Sequence, residues 1–212
     1  MARTGFTTSA HGFAFPNWFP PGTPVIELPT PFGRLPLGDA NGGVCGGMVL
    51  AALDFYLLDK VRPETATPSL IAFLGRRLLE SWDLPFGVLK YYDWQRRPGL
   101  TRRTVETEWP KIQALLDTGR PATLGLVKVH SFDPRKLPKN HQALAHGYDV
   151  TDACVTLHVY DPNYPGDDTT TLTFRLDDSD GDAAIEHSCE GPTVRGLFVT
   201  GYTRPATLPA FD

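Results

Sequence analysis

The chain has 212 residues, 41% of them hydrophobic, with 20 Lys and Arg against 24 Asp and Glu and a net charge of −4. A chain of this length buries roughly 70% of the surface its unfolded form exposes, so it folds as one domain without needing disulfides. The acidic balance argues against nucleic acid as a general partner, and pairs such as Arg76-Arg77, Arg96-Arg97 and Arg102-Arg103 read as a solvated face.

Three widely spaced cysteines, Cys45, Cys154 and Cys189, contain no CxxC pair. A structural zinc site is therefore not expected, and the count suits a reduced compartment. The N-terminus lacks the apolar stretch of a signal peptide, and no run approaches the roughly 18 apolar residues of a membrane span. The expectation is a soluble, cytoplasmic protein with no membrane partner, a signal-less export route remaining open. Oligomeric state is not legible.

Residues 1–43 are rich in Pro, Gly and aromatics without periodicity. Phe13, Phe15, Trp18 and Phe19 are too apolar for a disordered tail, so an irregular arm packed on the core is expected. Residues 44–120 read as a helical lobe. From Cys45 to about Leu58 the chain is apolar almost all round, which predicts a central, buried helix. Thr67-Pro68 offers an N-cap and a first-turn proline for a second helix to about Ser81. Leu84–Asp93 has no decisive period. Helical spacing returns over Thr104–Asp117, with Pro110 marking a kink or fresh start and Gly119 then Pro121 ending it. Residues 121–212 read as a β lobe with strands at Thr123–His130, His141–Val150, Val155–Asp161, Thr169–Leu176 and Val194–Tyr202. Helices followed by an antiparallel sheet make a single α+β domain.

The stretch Asn41-Gly-Gly-Val-Cys45-Gly-Gly-Met48 sets one cysteine among four glycines at the start of the central helix. Unpaired N–H groups and the helix dipole favour a thiolate there, and the glycines are read as giving another molecule close access to the sulfur. The bland alternative is an inert, buried thiol. A nucleophilic thiolate needs a base, and the base needs an orienting partner. Six histidines are available: His11, His130, His141, His146, His158 and His187. Alternation along the strand places His141 and His146 on opposite faces. Small residues at Ala143, Ala145 and Gly147 share the His141 face, so a helix is expected to approach that face, which favours His141 over His146. Asp161, at a strand end before Pro162, is the candidate orienter, with Asn163 the substitute. Either histidine or aspartate could instead be a core residue or an Asp-Pro turn.

Two further clusters read as structural. The run Asp177–Asp182 lacks the terminal Glu of an EF-hand loop and reads as a solvated hairpin tip. His187-Ser188-Cys189 with Cys154 lacks a close ligand pair for a metal.

The order Cys, His, Asp, with the cysteine opening a central helix, resembles the papain-like cysteine proteases. In that family the histidine begins a strand of small residues ending in Gly-Tyr, and His141 precedes Gly147-Tyr148 at the family's usual spacing. The Cys45-Gly46-Gly47-Met48 helix start and the Asp161-Pro162 pair look most like the bacteriocin-processing C39 peptidases. The resemblance implies a papain-like fold. It also implies Cys45 as nucleophile, His141 as base and acid, Asp161 as orienter, a peptide or protein substrate, and no cofactor or metal. One departure stands out. The family places a glutamine six residues before the cysteine to bind the oxyanion, and this chain has Asp39. The Cys45 N–H is one remaining donor, and Asn41 is the candidate second. Transglutaminases and deamidases share the triad order, although their tryptophan near the histidine has no counterpart beside His141. A papain-like module that binds a peptide without turnover is the non-enzymatic alternative, and Asp39 favours it.

Overall fold

The computed structural model describes every residue except 31–32, 40–42, 83–85, 178–182 and 212. The N-terminal arm is not irregular throughout. It contains β1 (Ala2–Arg3), α1 (Thr8–His11), and an antiparallel hairpin of β2 (Pro24–Thr30) and β3 (Gly33–Asp39). Prolines at 24, 29 and 36 masked the strand signal. A two-stranded ribbon tolerates them because each strand keeps one edge with no ladder partner. Elsewhere the arm packs through Phe6, Phe13 and Phe19, buried in the core, with Phe15 against them, whereas Trp18, expected to pack with them, is 65% exposed.

α2 (Cys45–Leu57) is buried along nearly its whole length, as its all-round apolar surface demands. Its one carboxylate, Asp54, pairs with the buried Arg77 (Nε–Oδ2 2.8 Å) and accepts from the Tyr202 hydroxyl (2.9 Å). α3 (Pro68–Ser81) opens with Thr67 Oγ1 accepting from the Leu70 N–H and Pro68 in its first turn. α4 (Phe86–Gln95) resolves the segment that had no clear period. α5 (Leu100–Arg103), a π-helical turn (Thr104–Glu108) and α6 (Trp109–Asp117) follow in one run. Pro110 sits in the first turn of α6. Having no N–H to donate backward, it fits where the helix widens and restarts.

The β half comprises β4 (Ala122–Val127), β5 (His141–Thr151), β6 (Cys154–Tyr160), β7 (Thr171–Arg175), β8 (Ile185–His187), β9 (Gly191–Val194) and β10 (Gly196–Val199). A 3-10 turn, Pro134–Lys139, leads into β5. The strands lie in the order β10-β4-β5-β6-β7-β8-β9, all antiparallel, and β1 adds to β5. β9 and β10 occupy opposite edges yet are separated by Arg195 alone, so the sheet must curl back on itself. α6 packs Ile112 and Leu116 with Ala143 and Ala145, whereas Leu144 and Tyr160 join the core around α2. The α+β architecture is therefore observed. Among the described residues no helix is long and apolar enough to cross a membrane, and all three cysteines are free.

Candidate active site

Cys45 is the first residue of α2, and the first helical bond of that turn runs from the Met48 N–H to the Val44 carbonyl (2.9 Å). The N–H groups of Cys45, Gly46 and Gly47 thus belong to the unpaired start of the helix. The preceding backbone is fixed by the arm. The Val44 N–H donates to Asn17 Oδ1 (2.6 Å), and Asn17 Nδ2 donates to Asn163 Oδ1 (3.2 Å). The Asn17 N–H also donates to the Pro162 carbonyl (2.9 Å). One side chain therefore ties the cysteine loop to the loop that carries Asp161.

Two of the flanking glycines do something other than expose the sulfur. A Cβ on Gly47 would lie 2.0 Å from the Leu74 carbonyl, and one on Gly46 2.3 Å from Ser81 Oγ. Both residues are buried, and their missing side chains let α3 close on α2. The expectation that they open the thiol to another molecule is corrected accordingly.

His141 begins β5, and its carbonyl accepts from the buried Tyr91 hydroxyl (3.1 Å). Its Nε2 donates to Asp161 Oδ1 (2.8 Å). Cys45 lines the same cavity as this ring and acts on it electrostatically, and with Nε2 engaged by Asp161 the nitrogen that remains for the sulfur is Nδ1. Asp161 follows β6 directly. Its Oδ1 also accepts from the Asn163 N–H (2.8 Å), and its Oδ2 accepts from His187 Nε2 (3.1 Å). The Cys189 N–H donates to His187 Nδ1 (3.1 Å), which fixes that ring as the Nε2–H tautomer and makes it a donor to Asp161. Three donors thus converge on one carboxylate that is only 1% exposed.

Burial by itself would strip His141 of its proton. The Asp161 carboxylate and Cys45 outweigh it and raise the imidazole from 6.5 to about 10. Burial likewise disfavours the Asp161 carboxylate, but His141, His187 and the Asn163 N–H hold it well below the usual range. His141 is therefore a cation across the neutral range, poised between the Cys45 sulfur and a fixed carboxylate.

Cys45, His141 and Asp161 come together. Asn163 does not reach His141; it supports Asp161 through its backbone and accepts from Asn17 through its side chain. Asn41 and the Asp39 side chain lie outside what is described. His146 stands apart, packed on Phe6. The face assignment behind the choice of His141 needs correction. Gln142 and Leu144 face α2 and α3, and the small residues Ala143 and Ala145 lie under α6. His141 reaches Cys45 from the end of its strand, not across the face. His187, Asn17 and Tyr91 were not foreseen in these roles. No local pattern marks them, since each acts through a contact made by the tertiary fold.

A cavity of about 330 Å³ has Cys45, His141 and Gln142 in its lining. The end of α3 contributes Leu78 and Trp82 to its wall, and α4 contributes Val88 and Tyr91. The 3-10 turn closes it with Pro134, Leu137 and Pro138. Among the described residues no group of three or more His, Cys, Asp or Glu could hold a metal ion.

No family model, curated protein or solved structure matches the chain. The arrangement must be judged by its chemistry. A sulfur at a helix N-terminus, beside a cationic imidazole fixed by a buried carboxylate, suits nucleophilic attack on a carbonyl followed by proton delivery to the leaving group.

Proposed function

We propose that this protein is a papain-like cysteine hydrolase, closest in motif to the C39 peptidases, that cleaves an amide bond of a peptide or protein. The placement of Cys45 in the same cavity lining as His141, whose ring is held by Asp161, is the observation that supports it. Cys45 Sγ attacks the scissile carbonyl carbon, and the Cys45 N–H faces the developing oxyanion, with Asn41 as the proposed second donor. The His141 imidazolium gives its proton to the departing amine, leaving a thioester on Cys45. His141, now neutral, takes a proton from water as the water attacks the thioester. The acid product leaves and the thiolate and imidazolium are restored.

Digestion of a peptide library read by mass spectrometry tests this. New chain ends should appear with the wild type and fall by about 10³-fold or more in Cys45→Ala, with the fold intact by circular dichroism. Turnover that survives Cys45→Ala contradicts the proposal. Deamidated or cross-linked glutamine in place of new chain ends would redirect the same triad to acyl transfer.

A further inference from the structure

We propose that the cavity beside Cys45 selects a bulky apolar side chain next to the scissile amide, and that the basic turn at its rim selects an acidic flanking peptide. This rests on the hydrolase reading and names its substrate class. The cavity volume of about 330 Å³ suits one large side chain, and the presence of Cys45 and His141 in the lining puts that side chain beside the reacting atoms. Leu78, Val88 and Leu137 make the wall apolar, and Trp82 keeps 37% of its surface open. A half-exposed indole lining a concave apolar site has most to gain from a hydrophobic guest.

Charge supplies the second half. The turn that closes the cavity carries exposed Arg135, Lys136 and Lys139 against one carboxylate, Asp133. Arg135 forks onto Asp133 at 2.9 and 3.0 Å, but that pair is solvent-exposed and a peptide carboxylate can compete for it. Arg135 lines the cavity, and Lys136 and Lys139 lie on the same turn; in a chain with net charge −4 this local excess of cations is complementary to an acidic peptide.

The test uses chloroacetyl peptides, whose chloride is displaced by the Cys45 thiolate to form a thioether and a chloride ion. Three are compared on the whole protein: chloroacetyl-Gly-Asn-Asn, chloroacetyl-Phe-Asn-Asn and chloroacetyl-Phe-Asp-Asp. Mass spectrometry assigns each label to Cys45, Cys154 or Cys189. The expected Phe-to-Gly rate ratio at Cys45 is about tenfold or more, and it should collapse in Val88→Trp, which fills the cavity. Should that variant misfold, Trp82→Ala provides the same readout. The Asp peptide should outpace the Asn peptide several-fold at low salt. That advantage should vanish at about 0.5 M salt and reverse in Lys136→Glu/Lys139→Glu. Equal rates for Phe and Gly overturn the apolar half, and an Asp preference untouched by the charge reversal overturns the acidic half. Loss of the hydrolase reading looks different: simple chloroacetamide would then label Cys45 no faster than Cys154 or Cys189, with no change in His141→Ala.

Discussion

β5 carries two histidines five residues apart, buried almost equally at 8% for His141 and 7% for His146, with opposite ionisation. His141 is raised to about 10, while His146 is lowered to about 4. Burial opposes the charge on both. At His141 the fixed Asp161 carboxylate and the Cys45 sulfur overrule it. At His146 the ring lies 5.7 Å from Phe6 and its Nε2 has no hydrogen-bond partner among the described residues. Burial lowers it most, His158, Arg3 and His11 add repulsion, and the attraction of Asp168 does not compensate. Burial of a histidine therefore says little about its charge; the partner on the far nitrogen decides it.

Removing that partner should collapse the contrast. Asp161→Asn makes the surroundings of His141 resemble those of His146, so its proton affinity must fall. Turnover should drop by about 10²–10⁴-fold. Because the raised His141 keeps its proton up to about pH 10, the alkaline limb of the kcat/KM profile should move to lower pH in the variant. A pH-rate titration of both proteins checks this, and an unmoved limb would remove Asp161 from the relay. A smaller effect is expected from His187→Ala, which takes one of three donors from Asp161. Turnover should fall about tenfold with KM little changed, and His187→Gln, which can still donate, should recover most of it. Steady-state kinetics on the pair separate positioning from packing.

His146 should have the mildest influence, and on stability only. Its neutral form is favoured in the fold, so the unfolded chain takes up the proton first as pH drops below about 6.5. The cost grows to about 3 kcal/mol by pH 4, and none of it is present above the unfolded value. His146→Leu should remove this acid sensitivity in urea melts and leave turnover unchanged.

Much of the layout was legible in the sequence. Apolar residues all round Cys45–Leu58 could only mean a buried helix, and turn signals between β-branched runs marked the main strands. Cys45, His141 and Asp161 could be grouped because each sits at the end of a regular element, where a pattern changes. The reasons for some choices were less sound. His141 was favoured for a small-residue face that in fact serves α6, and Gly46 and Gly47 serve α3 instead of an incoming ligand. The β2–β3 hairpin was hidden by its prolines, and β8 and β9 by their shortness. The roles of Asn17 and His187 depend on contacts 146 and 26 residues apart along the chain, which no local period records.

The most direct measurement is the titration of the His141 ring by NMR in protein labelled at histidine, with its signal assigned by loss in His141→Gln. The account expects a ring that stays cationic through pH 8 and releases its proton near 10, while His146 stays neutral down to about pH 4. A His141 ring that titrates near the ordinary value of about 6.5 would contradict it.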